Sequence, residues 1–153
     1  MQINTTRFGQ VEIDDKRVID FTDGLPGFPE AHRFVLLEHA PNNPFHWLQC
    51  LDDPALAFVV MDPLIVEPNY RQAIPKEAVK DLGLKSEKET ALLTIVTIDR
   101  ANQRVTTNLL GPLVIHSETL QAKQIILEQS TYATKHDIIP PSQMQQRKDA
   151  CSF

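Results

Sequence analysis

Turn-forming clusters interrupt this chain roughly every ten residues, and that spacing constrains its fold more than any other feature. Gly9, Asp14-Asp15, Pro41-Asn42-Asn43-Pro44 and Asp52-Asp53-Pro54 separate short apolar runs at 3–8, 11–13, 17–21, 33–37, 46–51 and 56–61. Farther on, Ala91-Leu92-Leu93-Thr94-Ile95-Val96-Thr97-Ile98 is β-branched and apolar on both faces, as a buried strand requires. A polar connection at 99–103 leads to a returning strand at 105–110, which Gly111-Pro112 ends because proline cannot donate to a ladder. Leu113-Val114-Ile115-His116 begins another strand. Many short strands at this spacing predict an antiparallel barrel or sandwich, and a barrel is favoured because closure removes exposed edges. The expected class is all-β: a small antiparallel β-barrel with one or two short helices.

One helix is expected after Pro75, with Val79 and Leu82 on a shared face and Gly83 at the C-terminal cap. The segment 119–129 fits either a helix or a strand through Gln124-Ile125-Ile126-Leu127. After Pro140-Pro141 there is almost nothing to bury, so one domain over 1–139 and a disordered polar tail over 140–153 are expected.

At 153 residues, 42% of them hydrophobic, the chain is long enough for one domain with its own core. No apolar run reaches membrane-spanning length, and Met1-Gln2-Ile3-Asn4-Thr5-Thr6 lacks the cationic start and apolar stretch of a signal peptide. Cys50 lies in an apolar run and Cys151 in the polar tail, a pair that makes no disulfide framework. The cytoplasm is the expected compartment. The net charge of −5 is unevenly spread. Residues 1–70 hold eleven acids against four bases, or −7, and residues 71–153 hold nine acids against eleven bases, or +2. An acidic half repels phosphate backbones and attracts basic partners, although such charge also serves solubility.

Signatures of catalysis are missing from the sequence: it has no glycine-rich phosphate loop, no G-x-S-x-G elbow and no H-E-x-x-H helix. His32, His39, His46, His116 and His136 show no spacing that places two on one face, so no metal or other cofactor is expected. Asp14-Asp15 and Asp52-Asp53 are adjacent carboxylates, which point to opposite faces in a strand; both read as turn residues bonding nearby backbone N–H groups. Lys76, Lys80, Lys85 and Lys88 alternate with Glu77, Asp81, Glu87 and Glu89, the pattern of a solvated face rather than a phosphate track. Direct nucleic-acid binding is therefore not expected, and neither is membrane binding. What remains is a surface for protein partners. Pro63-Leu64-Ile65-Val66-Glu67-Pro68-Asn69-Tyr70 sets aliphatics and a tyrosine between prolines, either as an interface at the barrel rim or as a plug closing its end.

One further stretch, Phe21-Thr22-Asp23-Gly24-Leu25-Pro26-Gly27-Phe28-Pro29, packs two glycines, two prolines and two aromatics into nine residues. It reads as a rigid corner pinned to the core by Phe21 and Phe28. Together with Trp47-Leu48-Gln49, Phe58-Val59-Val60-Met61-Asp62-Pro63 and Asn108-Leu109-Leu110-Gly111-Pro112-Leu113-Val114-Ile115, it resembles the flagellar assembly factor FliW family from Ile3 to His136. Lys123-Gln124 and Tyr132 extend the likeness and favour a strand over 124–127. The resemblance implies a small β-barrel protein that is not an enzyme. It implies binding to flagellin, near the flagellin C-terminus, and to the translational repressor CsrA in a mutually exclusive way. Freed from flagellin, such a protein captures CsrA and relieves repression of flagellin translation. Gly24, Pro26, Gly27, Asn108 and Pro112 then look like fold determinants, and Asp52, Asp53, Glu67 and Tyr70 are the expected contact residues. His116 departs from the pattern, which leads to an asparagine there. Two other classes compete: a barrel enzyme with a flavin or other cofactor, which would be coloured, and an oligosaccharide- or nucleic-acid-binding barrel, which heparin would retain.

Overall fold

A computed structural model of the chain describes residues 1–38, 43–85 and 89–138. The expected tail over 140–153 and the cluster members Glu87 and Lys88 lie outside the described residues.

Among the described residues eleven strands form, in the order β1 (Gln2–Thr5), β2 (Gly9–Glu12), β3 (Ile19–Phe21), β4 (Arg33–Glu38), β5 (Phe45–Cys50), β6 (Ala57–Met61), β7 (Thr90–Asp99), β8 (Arg104–Thr107), β9 (Leu113–His116), β10 (Gln121–Gln124) and β11 (His136–Asp137). β7 closes the sheet on itself. Its first half pairs with β9 from Thr90↔His116 to Leu93↔Leu113, and its last half pairs with β8 from Val96↔Thr107 to Asp99↔Arg104. Its other edge meets β6, with Val60 opposite Ile95. The ring runs β7-β6-β5-β4-β3-β10-β9 and back to β7, while β8 and β11 extend it as a flap. The expected barrel is thus found, with one pairing that is not antiparallel: β10 runs parallel to β3, with Ala122 opposite Phe21.

Phe21, Phe34, Leu48, Val60 and Leu113 fill the ring's interior with no exposed area. The β1–β2 hairpin packs outside it, where Ile3 and Ile13 cover Val35. Phe8 meets the Trp47 ring edge-on at 5.8 Å, and the Arg7 guanidinium lies over that ring at 4.3 Å. Gln49 is fully buried; its amide nitrogen donates to the carbonyls of Cys50, Pro54 and Leu56 and so holds the β5–β6 turn shut.

Several expected elements shift in detail. The run 17–21 starts as a 3-10 turn at Asp15–Arg17, because the Asp14 carboxylate accepts from the Lys16 N–H. The helix after Pro75 is a 3-10 helix, Lys76–Leu82, whose three-residue period brings Val79 and Leu82 to one buried face; Gly83 ends it at φ 70°. In the ambiguous segment, β10 precedes the apolar run. Ile125 and Leu127 instead donate singly to the carbonyls of Pro112 and Leu110 and bury their side chains.

The corner at 21–29 is a tight turn closed by bonds in both directions between Leu25 and Phe28, with Pro26 and Gly27 at its apex and Gly27 at φ 84°. Phe21 pins it, being fully buried. Phe28 does not: it is 41% exposed and only edges onto Phe58 at 5.7 Å. Gly24 adopts φ 68°, and a Cβ there would sit 2.5 Å from the Pro29 carbonyl oxygen. A Cβ at Gly27 would meet nothing within 4 Å. Urea unfolding should separate the two: Gly24→Ala is expected to cost about 3 kcal/mol, from backbone clash plus positive φ, whereas Gly27→Ala should cost only about 1 kcal/mol.

Candidate partner-binding surface

The four expected contact residues do not form one patch. Asp52 and Asp53 occupy the turn before β6, whereas Glu67 and Tyr70 follow its end, so the strand separates the pairs by roughly 17 Å at about 3.3 Å per residue. Their chemistry differs as well.

Asp52 serves the scaffold. Its carboxylate accepts from the backbone N–H groups of His32 and Arg33 at 3.4 and 3.1 Å and from the Arg33 guanidinium at 2.8 and 3.1 Å. The β5–β6 turn is thereby tied to the start of β4. Partial burial alone would raise the Asp52 pKa, but the hydrogen bonds and charge of Arg33 outweigh it and hold the carboxyl below the ordinary range. Asp53 accepts from the Ala55 N–H at 3.0 Å and leaves its side chain exposed. Asp53 thus plays the local turn role its sequence context suggests, whereas Asp52 bonds not to its own turn but to the start of β4, far away in the chain.

The segment after β6 is built from short local bonds. Asp62 caps the 3-10 turn Pro63–Ile65 by accepting from the Leu64 N–H at 2.9 Å. The Glu67 N–H donates to the Pro63 carbonyl and its carboxylate accepts from the Asn69 N–H at 3.3 Å, leaving the side chain half-buried on the rim. Ile65 is 59% exposed nearby in the chain. Tyr70 requires correction: its side chain is fully buried, its hydroxyl donates to the Leu109 carbonyl, and its ring stands edge-on to Tyr132 at 5.2 Å. Burial pushes its phenol pKa far up. With Leu82, Leu92, Val114 and Leu127 it plugs the end of the ring, the second of the two readings that the segment allowed. A proline-bounded tyrosine carries the same sequence signal whether it faces a partner or a core.

Two polar residues acquire roles that sequence spacing did not show. Asn108 accepts from the N–H groups of Leu110 and Gly111 at 3.1 and 2.9 Å, making the turn that lets β8 and β9 follow one another along the same edge of β7. His116 is buried, and its Nδ1 accepts from the N–H groups of Glu118 and Thr119 at 3.1 and 3.4 Å. The Oδ1 of asparagine, the residue expected here from the sequence, could make the same kind of bonds. In the neutral ring the proton then sits on Nε2, 3.5 Å from the Glu89 carboxylate. Among the described residues, no group of three His, Cys, Asp or Glu side chains is placed to hold a metal ion, and no helix is long and apolar enough to cross a membrane.

A closed, mainly-β ring with a proline-bounded, half-apolar rim defines the class of protein: a small β-barrel. The chain belongs to the FliW family of flagellar assembly factors, since the family model described as "FliW protein" matches residues 2–138. It is 40% identical to the flagellar assembly factor FliW of Treponema denticola over 139 residues, covering 91% of this chain and 94% of that one. It is also 40% identical to the protein of that name from Heliobacterium modesticaldum, covering 93% of each. A crystal structure of the flagellar assembly factor FliW superposes with a TM-score of 0.82 at 35% identity, covering 92% of this chain and 98% of that one.

Two substitutions separate scaffold from surface. Asp52→Asn should destabilise the fold by about 1 kcal/mol at neutral pH, the partly exposed pair with Arg33 being discounted for solvent. Because the folded pKa of Asp52 is depressed, that advantage exists above the unfolded value of about 4 and is lost as pH falls through the folded pKa. Denaturation midpoints of wild type and Asp52→Asn should therefore converge in acid. Tyr70→Phe should cost about 1–2 kcal/mol by leaving the buried Leu109 carbonyl without its donor, read as a lower urea midpoint.

Proposed function

We propose that this chain binds flagellin, near the flagellin C-terminus, and when free of it binds CsrA and relieves CsrA repression of flagellin translation. Membership of the FliW family across residues 2–138 carries this reading. On it the protein works in the cytoplasm by exchanging protein partners, with no catalytic step and no cofactor. The −7 charge of residues 1–70 supports capture of a basic, RNA-binding protein, since complementary charge speeds encounter and disfavours wrong partners.

The contact reading now narrows. Tyr70 acts through the core, and Asp52 is engaged with Arg33. Asp53 and Glu67 remain, and Glu67, half-buried on the rim, adds negative charge near the Tyr132 phenol and follows the exposed Ile65. Glu67→Lys reverses that charge and should weaken CsrA binding about tenfold, roughly 1.4 kcal/mol by calorimetry, with an unchanged urea midpoint. Unaltered affinity in the folded variant would remove Glu67 from the site.

A competition titration tests the whole reading. The protein is added to CsrA bound to its target RNA, followed by the flagellin C-terminal segment. RNA release that flagellin reverses is the expected result. If CsrA stays on its RNA while flagellin binds, the protein is an export chaperone without the regulatory half.

A further inference from the structure

The alternating charges at 76–89 are sorted by the fold. The 3-10 helix Lys76–Leu82 packs against β9 and β10, and a cleft of about 410 Å³ lies between it and the first residues of β7. Its floor is aliphatic, formed by Ile74, Val79, Leu84 and Leu92, and its rim carries Arg71, Lys76, Lys80 and Lys85. Among the described residues, none that lines it is acidic or aromatic.

Two of the described acids in the cluster are directed elsewhere. Asp81 turns to Lys123, 3.2 Å away on β10. Glu89 accepts from the Lys85 N–H at 2.9 Å and faces His116. Glu77 stays beside a rim cation, 4.0 Å from Lys80, with both side chains well exposed and weakly coupled. Arg71 is set by donating to the Thr90 carbonyl at 2.9 Å, so one rim cation is held against the cleft wall. A chain of net charge −5 therefore gathers four cations around one aliphatic floor.

We propose that this cleft docks an acidic, amphipathic peptide segment of a protein partner. The aliphatic floor takes apolar side chains and the three rim lysines, Lys76, Lys80 and Lys85, take carboxylates on either side of them. The volume falls within the range of sites that enclose a small ligand or a few side chains. Nucleic acid fits less well, because the described lining offers no ring on which a base could stack. The surface is opposite in sign to the acidic rim proposed for CsrA, and it does not depend on which partner occupies that rim.

The test uses the full chain, ¹⁵N-labelled, and a synthetic helical peptide of leucines at i, i+3, i+4 and i+7 with glutamates elsewhere. The same peptide with lysines for glutamates and a single-stranded RNA oligomer serve as comparisons. The glutamate peptide should bind saturably, with shifts confined to Ile74, Val79, Leu84, Thr90 and Leu92, and should weaken at least tenfold with K80E/K85E. K80Q/K85Q, which removes charge without reversing it, should weaken it less and provides the same reading if the reversed variant misfolds. Absence of saturable binding, undiminished binding in a folded variant, equal binding of the lysine peptide, or preferential RNA binding at these residues would each overturn the proposal. Neither flagellin nor CsrA enters the experiment, so its failure leaves the partner-exchange reading standing, and the reverse holds too.

Discussion

The structure depends on one strand bonding to three others. β7 is ten residues long, about twice the length of most of its neighbours, and uses that length to serve β9 and then β8 along one edge while β6 occupies the other. Without the β7–β9 pairing the sheet would be open, with β9 as an exposed edge available for unwanted strand addition. The switch between partners falls near Thr94 and Ile95. There the buried hydroxyls of Thr94 and Thr107 meet at 2.7 Å, and the Asn108 N–H donates to the Ile95 carbonyl. Polar groups that would otherwise be orphaned where the ladder changes hands are satisfied by each other.

Closing a small ring forces the connections into tight geometry, and side chains supply the bonds that the ladders cannot. Asn108 caps the turn between β8 and β9, His116 that between β9 and β10, and Gln49 and Asp52 hold the one between β5 and β6. At Gly24 the backbones approach so closely that no side chain fits. Several motifs that mark the family are thus turn chemistry. Their side chains bond backbone groups within the barrel, so likeness in these motifs speaks to the fold rather than to a binding surface.

The strands, the Gly83 cap and the turn roles of Asp14 and Asp53 follow from local rules of propensity and backbone bonding, so they are legible in the chain. Phe28 and Tyr70 show where those rules end. Both are aromatics flanked by prolines, yet Phe28 lies on the surface and Tyr70 in the core. The difference arises from the end of the ring, where Leu109 offers a buried carbonyl that the Tyr70 hydroxyl can reach.

Charge behaves in the same way. The sequence by itself determined the mainly-β class, the turn positions, the acidic bias of the first half and the family, because each depends on residue identity and spacing along the chain. Only the tertiary structure decided ring closure through β7, the parallel β3–β10 pair, the burial of Tyr70 and the sorting of lysines from acids around the 3-10 helix. These depend on which distant groups come within reach: Lys123 draws Asp81 away and His116 faces Glu89, and neither pairing is visible from spacing along the chain.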